Sequence, residues 1–284
     1  MSVPVKKAML RRSVFYLFLL LLFAGCAGFS VQNSSKAPGS ANTSKNIRID
    51  DNLILLPSGS YKDIDGNIHT VKSFYLSPYE VTQGEWKRIM KVNPSEFNGT
   101  GYFPPFPGED QDRRPVEMIS WFQALEFCNA KSIEEGLTPF YSIEGSLKNK
   151  TAFKKPHANG YRLPTVKEWE YAALSAGKDA FMYAGTNKTQ GTLGLNAHAW
   201  FTDNADFATH EIGLKLSNSL GFYDMSGNVF EWCEDDVSSA SVSGVWKGGC
   251  AISGPEECRI SYKGEYLPDT RNSFTGLRIA RNAP

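Results

Sequence analysis

The chain has 284 residues, of which 41% are hydrophobic and 21% are charged, as is usual for a globular protein. Its 30 basic and 30 acidic residues cancel to a formal net charge of +0, so the sequence has no basic excess and we expect no nucleic-acid partner. The four histidines are scattered and no Cys-x-x-Cys motif occurs, which argues against a zinc or iron site.

Residues 1–26 have the organisation of a lipoprotein signal peptide. Basic residues between positions 6 and 12 precede an apolar run over 14–24 that is too short to span a bilayer. Ala24 and Gly25 directly precede Cys26, as in signals where the cysteine becomes the lipidated first residue of the mature chain. The alternative is a plain secretory signal. Both predict export, and lipidation of Cys26 predicts anchoring in a membrane of the cell envelope, on its outer surface.

Residues 27–46 are rich in Ser, Asn, Gly and Ala and have no apolar periodicity, which predicts a flexible tether. Residues 47–284 are long enough to bury one sizeable core. We therefore predict a signal peptide over 1–26, a tether over 27–46 and one domain over 47–284.

The domain begins with strand-like segments at 52–56 and 71–76, separated by a glycine-containing turn region. Three helices follow, each opened by a capping box, in which a hydroxyl and a Glu or Gln satisfy free backbone amides. The boxes pair Thr82 with Glu85, Ser120 with Gln123 and Thr165 with Glu168. Beyond Gly177 the pattern changes to turns, aromatic residues and short strands. The sequence thus predicts an α+β domain with much irregular structure.

The segment 223–232 places two carboxylates around a glycine-containing turn. Asp224 and Glu231 offer side-chain oxygens, and the carbonyls of Gly227 and Val229 are expected to point the same way. Such an oxygen-rich set is the kind that calcium prefers. The alternative is a turn that enters a buried strand, with both acids solvated.

Four segments together resemble the formylglycine-generating enzyme (sulfatase-modifying factor) family, and two shorter ones also fit. The segments are 79–86, 114–121, 161–172 and 223–232, with 247–249 and 276–278. The resemblance spans roughly residues 53–281 and implies a C-type-lectin-like fold. It also implies a structural calcium site at Asp224, Gly227, Val229 and Glu231.

The resemblance bears directly on catalysis. Enzymes of the family oxidise a substrate cysteine with two active-site cysteines, which bind copper in the aerobic members. Here Cys258 falls on the second position and Ser253 on the first, and a serine is a poor ligand for a soft metal and cannot form a disulfide. We therefore expect no catalytic residues. Two alternatives remain: a redox pair of Cys250 with Cys258, or a disulfide that joins Cys258 to Cys250 or to Cys233.

The same scaffold carries the variable proteins of diversity-generating retroelements, exported lipoproteins that this chain resembles in its lipid signal, enzyme-like body and C-terminal end. The resemblance implies a C-terminal ligand-binding segment over about 245–284. Six framework residues would hold its backbone: Trp246, Gly248, Gly249, Arg259, Gly276 and Arg278. Nine positions between them are predicted to contact ligand: Ile252, Ser253, Gly254, Pro255, Glu256, Tyr262, Lys263, Glu265 and Tyr266. The alternative is an ordinary surface loop.

These observations predict a lipid-anchored, non-catalytic binding protein whose partner is a protein or small molecule at the cell surface. One alternative is a copper-dependent oxidase of protein cysteine that matures sulfatases, acting through Cys258 and Cys250. Another is an envelope scaffold protein that assembles with others through the same face.

Overall fold

Short strands arranged in two four-stranded sheets and two hairpins make up most of the regular structure. The computed structural model describes residues 53–100, 103–146, 150–191, 193–234 and 244–284. The strands are β1 (Ile54–Leu56), β2 (Gly59–Lys62), β3 (Ile68–Val71), β4 (Phe74–Leu76), β5 (Tyr141–Glu144), β6 (Thr151–Lys154), β7 (Tyr161–Arg162), β8 (Phe230–Cys233), β9 (Gly244–Lys247), β10 (Gly264–Tyr266), β11 (Thr275–Leu277) and β12 (Ala280–Asn282). The helices are α1 (Gln83–Met90), α2 (Trp121–Glu134), α3 (Val166–Ala173) and α4 (Leu195–His198), with a 3-10 turn at Gln111–Arg113. This is the predicted α+β domain.

The first sheet joins the beginning of the domain to its end. Its order is β1–β4–β12–β7, with antiparallel neighbours throughout. Ala280 of β12 lies opposite Leu76 of β4 on one side and Arg162 of β7 on the other. The last strand of the chain is therefore an internal strand of the sheet.

The second sheet contains the 223–232 motif and the C-terminal segment. Its order is β10–β9–β8–β11, and β8 and β11 are parallel. Glu231 of β8 lies opposite Gly276 of β11, where a Cβ atom would approach the Val116 carbonyl oxygen to 2.4 Å. Glycine at position 276 thus lets β11 pack closely against the backbone at Val116.

The helices begin at the predicted residues, although one capping box is incomplete. The boxes that open α2 and α3 are both present, Ser120 with Gln123 and Thr165 with Glu168. At α1, Thr82 accepts a hydrogen bond from the Glu85 N–H, but the Glu85 carboxylate lies 3.1 Å from Lys131 of α2 instead of returning to Thr82. A tertiary ion pair has therefore replaced half of the local box.

The core is rich in aromatic side chains. Trp86 of α1 stacks on Phe127 of α2 with ring centroids 4.9 Å apart and an interplanar angle of 4°. Trp169 of α3 is fully buried in a second cluster, with Phe74 and Met225. Full burial of each such side chain contributes on the order of 2–3 kcal/mol, so these contacts fix α1, α2 and α3 against the sheets. Cys128 is buried in the first cluster, as expected for a small apolar residue.

No helix in the described ranges is long and apolar enough to cross a membrane. The signal peptide over 1–26, the lipidation residue Cys26 and the tether over 27–46 lie outside the described residues.

Candidate functional site

A double-glycine turn brings the cysteines of the C-terminal segment together. Gly248 and Gly249, which follow β9, have φ angles of 94° and 76°, a region that side-chain-bearing residues rarely adopt. A Cβ atom on Gly249 would lie 2.9 Å from the Cys258 Sγ. The turn therefore places Cys250, the next residue, close to Cys258.

Both thiols are buried and protonated. Cys250 is 2% exposed and Cys258 is 0% exposed. Burial raises the pKa of Cys250 to about 11 and raises the pKa of Cys258 well above its usual range, and the nearby Glu257 charge raises both. Because the thiolate is the nucleophile, these thiols are poor nucleophiles at neutral pH.

Ser253 occupies the predicted first cysteine position and is also buried, with 1% of its surface exposed. Its Oγ accepts a hydrogen bond from the Cys250 N–H at 3.1 Å and lies 3.4 Å from the Cys250 Sγ. The hydroxyl holds the turn that follows the two glycines. Ser253 was predicted to touch ligand, but its burial instead gives it a structural contact in this turn.

The predicted disulfide at Cys258 is not formed. Cys128, Cys233, Cys250 and Cys258 are all buried free thiols. Hydrogen bonds hold the segment instead: the Ser226 hydroxyl donates to the Cys258 carbonyl at 2.9 Å, and the Ala251 N–H donates to the Asn228 carbonyl at 2.9 Å.

The donors available to copper at this turn are the thiols of Cys250 and Cys258 and the hydroxyl of Ser253. The hydroxyl is a poor ligand for a soft metal, so only the two sulfur atoms suit copper. Within the described ranges, no group of three or more His, Cys, Asp and Glu side chains is arranged to hold a metal ion.

The four predicted calcium ligands differ in their fit. Asp224 Oδ2 accepts a hydrogen bond from the Gly213 N–H at 2.7 Å, whereas Asp224 Oδ1 is buried without a partner and suits a cation. Glu231 fits less well, because its oxygens already accept hydrogen bonds from three N–H groups, one of Trp169 and two of the Arg278 guanidinium, which occupy most of the lone pairs of the carboxylate.

The backbone ligands of this set also have structural roles. Gly227 has a φ of 87°, and a Cβ there would lie 2.1 Å from the Trp200 carbonyl oxygen. The Val229 N–H donates to Glu80 Oε1 at 3.2 Å. Calcium binding at Asp224, Gly227, Val229 and Glu231 therefore stays a prediction, and Glu231 is its weakest member.

A buried charge cluster surrounds this motif. Glu80, Asp224 and Glu231 are 2%, 2% and 0% exposed, and Arg278 is 0% exposed. Burial and the charges of Asp224 and Glu231 raise the pKa of Glu80 well above its usual range, and burial raises the pKa of Asp224 to about 6. Sequence reasoning missed the role of Glu80, although it lies in the first segment that carries the family resemblance.

The other predicted ligand positions reach the surface. Five are exposed and three are half-buried: Ile252, Glu256, Lys263, Glu265 and Tyr266, then Gly254, Pro255 and Tyr262. Eight of the nine predicted positions are therefore at least partly accessible to solvent, and their contact with ligand stays a prediction.

Four aromatic side chains, which we call the aromatic platform, lie beneath and beside this segment: Phe230, Trp246, Tyr262 and Tyr266. The Tyr266 ring centroid lies 3.8 Å from that of Trp246, which stacks on Phe230 at 4.8 Å. The Tyr262 ring lies 6.3 Å from Phe230. Gly264 packs so closely against Trp246 that a Cβ on residue 264 would lie 1.6 Å from the indole Nε1. The sequence did not indicate Phe230, which lies far from the predicted segment along the chain.

Comparison with known proteins identifies the family to which this fold belongs. The sulfatase-modifying factor enzyme 1-like domain family matches residues 40–283. The chain belongs to this family. Membership confirms the resemblance found in the sequence and the C-type-lectin-like fold.

Members and structural neighbours of the family carry different names. Chaperone protein LppX of Paenibacillus barcinonensis is 34% identical over 302 residues, covering 93% of this chain and 98% of its own. Inactive C-alpha-formylglycine-generating enzyme 2 of Bos taurus is 24% identical over 269 residues, covering 82% of this chain and 88% of its own. The structure of Treponema denticola variable protein 1 superposes with a TM-score of 0.69 and 30% identity, covering 81% of this chain and 95% of that chain.

Proposed function

We propose that this member of the family is a non-catalytic binding protein that presents residues 252–266 as its ligand surface. The observation that carries the proposal is Ser253, a buried hydroxyl at the position of the first active-site cysteine. It is hydrogen-bonded into the turn, where it can neither form a disulfide nor coordinate a soft metal. The scaffold of the enzyme is retained, and one of its two essential thiols is absent.

The remaining thiols are poorly activated for the missing chemistry. Cysteine oxidation requires a thiolate at neutral pH, and burial raises the pKa of Cys250 to about 11. The negative charge of Glu257 further disfavours a thiolate at Cys250 and at Cys258. A relative named as an inactive formylglycine-generating enzyme agrees with loss of catalysis on this scaffold.

A polypeptide is the partner class that we favour over a small molecule. The surface around residues 252–266 is an exposed face with aromatic side chains, and tyrosine and tryptophan are enriched where proteins bind one another. A relative that is 34% identical is named a chaperone protein, which agrees with binding to polypeptides.

We further propose that the protein is exported and anchored by lipid at Cys26, with the tether over 27–46 between the lipid and the domain. The ligand surface would then face partners at the outer surface of the cell envelope.

Conversion of a cysteine-containing sulfatase peptide to the aldehyde tests the proposal directly. The full-length chain, incubated with the peptide, oxygen and copper, is expected to give no product by mass spectrometry, at the level of Cys258→Ala. Turnover by the unsubstituted chain that disappears in Cys258→Ala would overturn the proposal.

One observation favours the alternative, an oxidase that uses Cys250 in place of the missing cysteine. Gly249 packs so closely against Cys258 that a Cβ there would lie 2.9 Å from the Cys258 Sγ, and Cys250 is the next residue of the chain. The same assay on Cys250→Ala separates the two functions, because an oxidase of this kind needs both thiols and one copper ion per chain. Stoichiometric copper binding that is lost in both variants would favour the oxidase.

A further inference from the structure

A cavity of about 690 Å³ lies beside the β2–β3 hairpin. Its walls come mainly from the hairpin over 61–69, from α3, and from the segments 180–187 and 260–263. A second cavity of about 310 Å³ shares four lining residues with it: Tyr61, Lys62, Leu174 and Ala180. We call the two adjacent cavities the hairpin groove. Cavities that bind ligands have volumes of about 300–1,000 Å³, so the hairpin groove is large enough for a specific ligand.

Large apolar side chains are exposed around the hairpin groove. Ile64 is 70% exposed, Ile68 is 67% exposed and Met182 is 37% exposed, and each of them lines one of the two cavities. Single exposed apolar residues are common on protein surfaces, whereas several around one cavity indicate a binding site. The apolar wall continues inside the larger cavity with four further side chains: Val166, Leu174, Phe181 and Ile260.

The acidic side chains of the hairpin groove are mostly compensated within the fold. Three of them lie within ion-pair distance of a basic side chain: Asp63 of His69, Glu170 of Lys247, and Glu234 of Lys154. The Tyr61 hydroxyl donates a further hydrogen bond to Glu170 at 2.7 Å. The other charged residues of the groove are exposed and have both signs: Lys62, Asp65, Lys167 and Lys263. An apolar interior with a mixed polar edge suits an occupant with uncharged apolar groups, because a further buried charge would lack a counter-charge.

The β2–β3 hairpin forms a sheet of its own, so both of its strands are edge strands. Within the described ranges, β2 and β3 pair only with each other. In an antiparallel pair, every second residue of a strand directs its N–H and C=O groups away from the partner strand. Residues 60–65 line the groove without interruption, so β2 and its turn run along it. An edge strand beside side-chain cavities is an arrangement that binds extended polypeptides, through main-chain hydrogen bonds and pockets for alternate side chains.

The hairpin groove is continuous with the ligand surface over 252–266. Ile260, Ser261 and Lys263 belong to that segment and also line the larger cavity. A polypeptide partner that contacts the segment can therefore extend into the groove without leaving the surface of the domain.

We propose that the hairpin groove binds an extended segment of the polypeptide partner in which alternate side chains are apolar and uncharged. The segment adds as a strand along β2, and its apolar side chains enter the two cavities. This inference rests on the proposed binding function. It names the chemistry of the ligand, and it extends the ligand surface beyond residues 252–266.

Two capped peptides of identical composition, Ser-Leu-Ser-Leu-Ser and Ser-Leu-Leu-Ser-Ser, test the groove. In an extended strand, the leucines of the first peptide lie on one side, whereas those of the second lie on opposite sides. The peptides are titrated into the full-length chain, and binding is followed by the NMR methyl signals of Ile64, Ile68 and Met182. The first peptide is expected to bind about fivefold more tightly, because both of its leucines leave water. Equal affinities for the two peptides, or no binding of the first, would overturn the inference.

Backbone methylation of the first peptide tests whether it adds as a strand. One form is N-methylated at the central serine and another at both leucines. Because alternate N–H groups of a strand face its neighbour, one of the two forms is expected to lose about fivefold in affinity. Full affinity in both forms would mean that no strand is added, contrary to the proposal.

Substitutions in the groove have a matched control on α2. Ala180→Trp is expected to weaken binding of the first peptide at least about tenfold, because Ala180 is exposed and lines both cavities. Ile64→Ser and Ile68→Ser should each weaken it about threefold. Ile133→Ser should leave it unchanged, since Ile133 is 66% exposed but lines neither cavity. An unchanged affinity in Ala180→Trp, with an unchanged melting temperature, contradicts the groove.

Other occupants of the groove give different results. Indole is a small apolar probe, and shifts of the groove methyl signals with indole but with neither peptide would identify a small-molecule cavity and refute the inference. Shifts of the same signals when the protein concentration is raised without peptide would show that a second copy of the chain is the occupant, with the same consequence.

The outcomes separate this inference from the function on which it rests. A chain that converts sulfatase peptide is an enzyme, and the proposed function fails whatever its preference between the two leucine peptides. A chain that converts no sulfatase peptide and binds the two leucine peptides equally keeps the proposed function and loses only the groove.

Discussion

Replacement of Arg278 by methionine tests whether this buried arginine holds the charge cluster together. The guanidinium is fully buried and donates to both oxygens of Glu231, to the Tyr223 carbonyl at 2.7 Å and to the Ser77 carbonyl at 3.0 Å. In Arg278→Met, the Glu231 carboxylate stays buried, near the carboxylates of Asp224 and Glu80, without a cation.

The expected loss is large. Removing one partner of a buried ion pair costs about 3–5 kcal/mol, since the other charge is left uncompensated. The carbonyls of Tyr223 and Ser77 each lose a donor, which adds about 1 kcal/mol apiece. A domain of this kind has a free energy of unfolding of about 5–15 kcal/mol, so the variant is expected to lose a third or more of its stability.

Urea unfolding at pH 7, followed by tryptophan fluorescence, measures the effect. Lys87→Met is the matched control, because the Lys87–Asp112 ion pair is more than half exposed on both sides and is expected to contribute less than about 1 kcal/mol. Adding Glu231→Gln to Arg278→Met removes the stranded charge and is expected to restore about 2 kcal/mol. A loss in Arg278→Met no larger than that of the control would refute the reasoning.

Four further predictions follow from single groups. Burial raises the pKa of Glu117 to about 7, so the folded state binds its proton more tightly than the unfolded state. The contribution of Glu117 to the free energy of unfolding therefore falls by about 3 kcal/mol as pH rises from about 4.5 to 7. Glu117→Gln should reduce the pH dependence of urea unfolding by that amount, and an unchanged pH profile would contradict this. Cys250 and Cys258 should react with a thiol reagent about 100-fold more slowly in the native chain than in urea, and equal rates would show accessible thiolates. Cys26→Ser should move the protein out of the membrane fraction, and unchanged partitioning speaks against lipidation. Calcium bound by the predicted set that includes Asp224 should make the melting temperature higher in calcium than in a chelator. Equal melting temperatures in the two conditions would contradict calcium binding.

Local features of the fold could be read from the sequence. The boxes at Ser120 and Thr165 join residues three apart, so the sequence alone determines their hydrogen bonds. The segments of the family resemblance identified the fold for the same reason, since each is a short run of residues in a fixed order. Where a distant contact competed, as when Lys131 drew the Glu85 carboxylate away from Thr82, the local prediction was incomplete.

The geometry of the candidate site could not be predicted without the tertiary structure. The sequence placed a serine at the first catalytic position, but only the packing of the double-glycine turn showed that Ser253 is buried and that Cys250 lies beside Cys258. The ion pair of Glu231 with Arg278 joins residues 47 positions apart in the chain, and the Tyr262 ring lies 6.3 Å from that of Phe230. Sequence neighbours determine caps and turns. Burial, pKa and ion pairing depend on which distant chain segments exclude water around a group, and only the assembled sheets decide that.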